Sequence, residues 1–173
     1  MSLAPRIETA RLILRGHTSA DFEPLYAMWS DPEVVRHITG KPSTREESWG
    51  RLLRYPGMWA LIGYSFWAIE EKASGQVIGE GGFADFRREI APPIEAPEQG
   101  WALIPAAQGK GYAFEALNTM IAWGEAHFGR RDFACIIAPE NAPSIRLAEK
   151  LGYRESARGA YKESPTVFFR RPA

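Results

Sequence analysis

A chain of 173 residues, 45% hydrophobic and 24% charged, is long enough to enclose a core and has an ordinary globular composition, so one domain over residues 1–173 is expected. Lysine plus arginine and aspartate plus glutamate both number 21, and a net charge of zero gives no electrostatic case for nucleic acid or an anionic membrane as partner. No stretch is apolar and long enough to span a bilayer, and the amino terminus lacks the basic-then-apolar order of an export signal, so a cytoplasmic protein is expected.

In chain order, Leu12–Arg15 reads as a short strand. Thr18 and Ser19 can cap a helix in which Phe22, Leu25, Tyr26 and Trp29 fall at i, i+3, i+4 and i+7 and share one buried face, with Pro32 after its end. A second helix is predicted from Ser43, with Glu46 three residues on in a capping-box pattern. It should bury Trp49, Leu52 and Leu53 and stop before Pro56. Residues 65–71 and 76–83 read as strands joined through Lys72-Ala73-Ser74-Gly75, an antiparallel hairpin. Residues 85–97 hold three prolines and mixed charges, an irregular excursion before a strand at 98–104. A helix at 111–128, a strand at 132–137, a helix at 142–151 and terminal strands near 153–158 and 166–170 complete an α/β pattern. Cys135, the sole cysteine, lies among Phe133, Ile136 and Ile137 and reads as an inert core thiol. His17, His37 and His127 have no ligand spacing, so no metal site is expected.

The most informative run is Gln108-Gly109-Lys110-Gly111-Tyr112-Ala113. A strand that breaks at Pro105, turns through two glycines and enters a helix leaves backbone N–H groups unpaired, with the positive end of the helix dipole behind them. An anion fits there. Glycine at 109 and 111 lets a diphosphate approach the main chain and permits positive φ. The dinucleotide fingerprint would need a small residue where Phe114 stands, and the phosphate loop G-x-x-x-x-G-K-[ST] occurs nowhere in the chain.

Gln108, Gly111 and Ala113 instead match Gln/Arg-x-x-Gly-x-Gly/Ala, and this resembles the pyrophosphate motif of the GNAT superfamily of acetyl-CoA-dependent N-acetyltransferases. Downstream, Asn141-Ala142-Pro143-Ser144 and the ending Ala148-Glu149-Lys150-Leu151-Gly152-Tyr153 resemble the second cofactor-side motif of that superfamily. Read without the resemblance, the same stretch is an Asn-capped helix with a glycine stop. Thr9-Ala10-Arg11-Leu12-Ile13-Leu14-Arg15, Asp21 and Asp31-Pro32-Glu33-Val34, with Glu98-x-Gly100-Trp101, resemble the branch of the ribosomal-protein N-terminal acetyltransferases. The resemblance implies a GNAT-like mixed, mostly antiparallel sheet of six to seven strands flanked by about four helices.

It also implies roles. Residues 108–113 would hold the pyrophosphate of acetyl-CoA, with Lys110 adding charge. The pantetheine arm, which carries amides, would pair with an exposed strand edge, and an N–H near Ala102 or Leu103 would face the thioester oxygen. Asn141 would order the arm or serve only as a helix cap. Glu98 matches the acidic position assigned as base, and an α-amine of pKa about 8 needs only a weak one. Ser144 is the first choice to protonate the departing thiolate, ahead of Tyr153 and Tyr161. Trp29, His37 and Trp49, with Trp59 and Tyr64, are candidates to line an acceptor pocket between the first two helices and the segment after Phe83. The expected partners are acetyl-CoA and a primary amine, on a peptide or a small molecule, in a monomer or homodimer. A catalytically silent acetyl-CoA sensor and a protein for another phosphate ligand are the alternatives.

Overall fold

A computed structural model describes residues 3–173. Its strands are β1 (Ile7–Glu8), β2 (Leu12–Arg15), β3 (Phe66–Glu71), β4 (Val77–Ala84), β5 (Glu98–Leu103), β6 (Phe133–Ile137), β7 (Arg154–Tyr161) and β8 (Ser164–Arg171). They form one sheet in the order β1-β2-β3-β4-β5-β6-β8-β7, antiparallel throughout except where β5 meets β6. The helices are α1 (Phe22–Ser30), α2 (Pro32–Val35), α3 (Arg45–Ile62), α4 (Tyr112–Phe128) and α5 (Ala142–Lys150). The mixed class is as expected, with two differences in count. The pair Ile7–Glu8 adds an edge strand, and Asp31, accepting from the Glu33 amide at 2.8 Å, lets Pro32 start a one-turn helix rather than only end one.

Alternation along the strands splits the core into two layers. Leu14, Trp67, Phe83, Leu103, Phe133 and Cys135 pack against α4 and α5, while Phe66, Ala84 and Ala102 pack against α1, α2 and α3. Cys135 is 1% exposed, and burial pushes its thiol pKa up, as an inert core cysteine requires.

The second long helix corrects its sequence reading. The cap is Thr44, reciprocated by Glu47, one residue later than the Ser43 and Glu46 pattern. The buried stripe is accordingly Ser48, Leu52, Tyr55 and Trp59, which leaves Trp49 41% and Leu53 54% exposed. The helix also runs through Pro56. The ring lies on the exposed side, and burial of Tyr55 and Trp59 outweighs the lost backbone bond; Trp59 Nε1 donates to the Phe66 carbonyl at 3.1 Å.

The feature that positions the site is a fork. β5 and β6 are parallel partners only at Glu98 and Ala134, with the Ala134 amide donating to the Pro97 carbonyl at 3.1 Å, and then diverge. Gln99 sits buried at the vertex. Its Nε2 donates to the Leu117 carbonyl at 3.3 Å, and its Oε1 accepts from the Tyr153 hydroxyl at 2.7 Å. One side chain thus ties the crotch of the fork to α4 and to the chain leaving α5.

Candidate active site

The turn between β5 and α4 has the geometry its glycines suggest. Gly109 has φ 72° and Gly111, which caps α4, has φ 80°, both in the left-handed region. Among the described residues no protein acceptor takes the amides of Gly109, Lys110, Gly111, Tyr112, Ala113 or Phe114; the first intrahelical bond runs from Glu115 N to Gly111 O at 3.1 Å. A Cβ at Gly109 would meet open space, so nothing blocks a ligand's approach there. The amides therefore form an exposed anion cradle.

Arg11 braces the cradle. Its Nε donates to Glu115 Oε2 at 2.7 Å and its Nη1 to the Lys110 carbonyl at 2.9 Å, while Nη2 lies 3.4 Å from where a Gly111 Cβ would stand. Glu115 also accepts from the Thr9 hydroxyl at 2.5 Å and from the Arg11 amide at 2.8 Å. Burial acts to raise its pKa, and these donors outweigh that, holding the carboxyl below its usual range. Lys110 is exposed at the lip. Gln108 does not point into the cradle: its Nε2 turns back to the Leu103 carbonyl at 3.2 Å.

The fork supplies an open strand edge. Ile104 N donates to Ile78 O at 3.0 Å, and strand alternation then gives the backbone groups of Ala102 to β4 and those of Leu103 and Trp101 to the side facing the gap. Of the two expected donors, Leu103 has its N–H on that edge; the Ala102 amide is turned toward β4 and contributes a buried methyl instead. Across the gap, Asn141 caps α5, its Oδ1 accepting from the Ser144 amide at 3.2 Å. The Ser144 hydroxyl is half-buried and takes no hydrogen bond among the described residues. Tyr153 is enclosed at 0% exposure and committed to Gln99, which removes it as a proton donor to a thiolate.

Glu98 lies at the closed end of the fork, and both of its oxygens are engaged by Arg88, with Nε to Oε2 and Nη2 to Oε1 both at 2.8 Å. The Arg88 guanidinium stacks on Phe86 and Tyr161 at 4.6 and 4.7 Å. So engaged, Glu98 fastens the segment 85–97 to the sheet. An open cavity of about 430 Å³, with Tyr64, Phe86, Ile94 and Glu98 among its lining residues, lies beneath that segment. The aromatic residues expected around an acceptor are not gathered together. Trp29 is buried and donates from Nε1 to Glu80, Trp49 stands on the outer side of α3 against Phe22, and His37 lies in the turn after α2. Trp59 belongs to the opposite core layer with Trp67 and Trp123.

A polar cluster with no motif in the sequence lies on the α1 and α3 side of the sheet. The Glu80 carboxylate, 0% exposed, accepts at Oε1 from Trp29 Nε1 at 3.1 Å and from the Tyr55 hydroxyl, while His17 Nε2 stands 3.5 Å from Oε2. His17 stacks on Tyr55, and the Arg51 guanidinium covers the Trp29 ring at 3.7 Å. Burial, with Glu80 beside it, drives the Tyr55 pKa well up, so its hydroxyl remains a donor. Strand alternation hints that Glu80 points to one face, but only the pairing of distant elements brings His17, Arg51 and Tyr55 to it.

Residues 11–154 match the family model described as an acetyltransferase (GNAT) domain. The N-acetyltransferase p20 of Bacillus licheniformis is 30% identical over 148 residues, 85% of this chain and 81% of that protein. A GnaT-family acetyltransferase structure from Bordetella pertussis superposes with a TM-score of 0.85 at 31% identity, covering 97% of this chain and 99% of that one. RimL, a ribosomal L7/L12 α-N-protein acetyltransferase solved with coenzyme A, shares the fold at a TM-score of 0.78 and 15% identity, covering 97% and 98%.

Proposed function

Since the chain belongs to the GNAT acetyltransferase family and is an acyltransferase, we propose that it moves the acetyl group of acetyl-CoA to a primary amine by direct attack in a ternary complex. The observation that carries this reading is the row of unpaired amides from Gly109 to Phe114, open to solvent at the head of α4. They suit the pyrophosphate, with Arg11 and Lys110 adding positive charge at the rim. The pantetheine amides continue along the open edge of β5 as an added strand would, which brings the thioester toward the Leu103 N–H. That N–H is a preorganised donor for the oxygen on which charge develops during attack. An uncommitted hydroxyl at the first turn of α5, where Asn141 caps the helix, supports Ser144 as the donor to the departing thiolate.

The acceptor arrives from the α1 and α3 face, because α4 and α5 cover the other. Both a protein α-amine and a small amine suit this arrangement, and the ribosomal substrate of RimL supports the first as a starting point for screening.

Gly111→Val tests the cradle. It forces a branched side chain into a left-handed backbone and against Arg11, and the dissociation constant for CoA, measured by calorimetry, is expected to rise roughly tenfold or more. Binding unchanged within about twofold rejects the cradle. Thiol release with a panel of peptides and small amines tests the transfer. Tight CoA binding without turnover on any acceptor would reassign the protein as a sensor.

A further inference from the structure

Among the described residues, the buried side-chain atoms without a hydrogen-bond partner are Nδ1 and Nε2 of His17, Oγ of Ser48, Nε of Arg51 and Oε2 of Glu80. Ser48, Arg51 and Tyr55 fall at i, i+3 and i+7 on one face of α3, and His17 and Glu80 meet Tyr55, so these atoms belong to one neighbourhood. Unpartnered polar groups shut away from bulk solvent are costly, and where a fold retains them together they hold water or a polar part of a ligand. A structural carboxylate would have both oxygens satisfied. Glu80 has one oxygen held by two neutral donors, while the other makes no hydrogen bond and has only His17 Nε2 nearby, at 3.5 Å.

Its position explains why. Glu80 pairs with Ala102, so the two side chains stand on the same face about 5.5 Å apart at Cα. On this face the Ala102 methyl lies between Glu80 and the β5 edge where Leu103 offers its N–H. Glu98 lies four residues back along β5, about 13 Å away, with both oxygens on Arg88. We propose that Glu80, and not Glu98, is the terminal proton acceptor for the amine substrate, reached through a bridging water and held in place by Trp29, Tyr55 and His17. This rests on the acetyl-transfer reading above and assigns the proton's path within it.

The step balances as follows. The substrate ammonium passes one proton through the water to Glu80 Oε2, converting carboxylate to carboxylic acid. The freed nitrogen lone pair forms the C–N bond at the thioester carbon, and the C–S bond breaks with its electron pair on sulfur. The second nitrogen proton passes to the thiolate. The products are an N-acetyl amine, the CoA thiol and a proton on Glu80 that returns to solvent. The titratable groups facing Glu80 are His17 from the loop after β2 and Arg51 and Tyr55 from α3; Ala68, Ala102 and Trp29, from β3, β5 and α1, bring no charge.

The test uses the fact that an amine already neutral at pH 7 needs no base. Glu80→Gln is assayed by thiol release with 2-phenylethylamine and an alanine-initiated tetrapeptide, both protonated at pH 7, and with methoxyamine, which is neutral. The expected result is a fall in kcat/KM of roughly 100-fold for 2-phenylethylamine and about tenfold for the tetrapeptide, whose α-amine is already about a tenth neutral at pH 7, a change within about threefold for methoxyamine, and unaltered CoA affinity. An equal loss on both kinds of acceptor, or no loss on either, overturns the assignment. Should Glu80→Gln fail to fold, Glu80→Asp, which keeps the charge but withdraws it, is read by the same selective pattern. Absence of thiol release by the wild-type protein on every acceptor overturns the acetyl-transfer reading itself, a result distinct from any difference between variants.

Discussion

At the scale of single residues, the proposed site is a set of groups whose bonding within the chain is incomplete: amides at 109–114, the Ser144 hydroxyl, one oxygen of Glu80. Ser144→Ala is expected to lower kcat with little change in melting temperature, since its amide, not its hydroxyl, bonds to the cap. Asn141→Ala removes that cap and is expected to cost about 1 kcal/mol of stability in chemical denaturation. Asp21 shows the opposite condition, full satisfaction. Burial acts to raise its pKa, and Arg15, bonded at 2.8 and 2.9 Å, with the Thr18 amide at 2.7 Å, outweighs that and leaves it lowered. A carboxyl whose native pKa lies below its unfolded value adds stability that is present above about pH 4 and disappears as pH falls through the native value. Asp21→Asn is therefore expected to lower the melting temperature at neutral pH, with the gap from wild type narrowing below about pH 4 in calorimetric scans. Gln108 is read in the same run yet turns back to Leu103, while Gly109 and Gly111 are legible because a left-handed turn is local to six residues. Glu80 is not, because it looks like any polar position between glycines until β4, α1, α3 and the loop at His17 are assembled.

At the scale of elements, propensity was overridden where tertiary burial was large. α3 continues through Pro56 because Tyr55 and Trp59 flank it in the core, although proline inside a helix is unfavourable by about 3 kcal/mol. Pro56→Ala is expected to raise stability by about 1 kcal/mol or more, measured by urea denaturation. Helix α4 shows the converse. Gly124 is poor for a helix, yet a Cβ there would stand 2.8 Å from the Phe83 ring and 3.2 Å from Phe133, because the helix lies close on the sheet. Gly124→Ala is accordingly expected to destabilise by about 1–3 kcal/mol despite alanine's better propensity. Strands β2 to β8 and helix α4 were readable from periodicity and punctuation, whereas β1 and the part of α3 beyond Pro56 were not. The face of α3 was not, since the apolar Trp49 and Leu53 stand exposed while Ser48 and Tyr55 are buried by packing against the sheet.

At the scale of the whole molecule, the sheet divides the labour. Its α4 and α5 side bears the glycine turn at 109–114 and the Asn141 cap, its α1 and α3 side bears the Glu80 cluster, and the fork between β5 and β6 lies between them. CoA at about 100 times its dissociation constant is expected to stabilise the folded state by about 2.7 kcal/mol, visible as a rise of several degrees in melting temperature. Gly111→Val should lose that rise while keeping its own unliganded transition. Arg88 closes the far end by joining segment 85–97, β5 and Tyr161 of β7, and Arg88→Ala is expected to expose that segment to limited proteolysis before the rest of the chain.

The bonds of Gln99 to Leu117 and Tyr153 brace the start of β5 against α4 and the chain after α5, at the point where β5 and β6 part. The separation between them is thus set when the chain folds, and an arriving ligand meets a slot already cut to width, with little ordering left to do. Shape change between the free and liganded forms should then be confined to surface side chains, and Gln99→Leu is expected to remove the brace and slow association with CoA, measured by stopped flow.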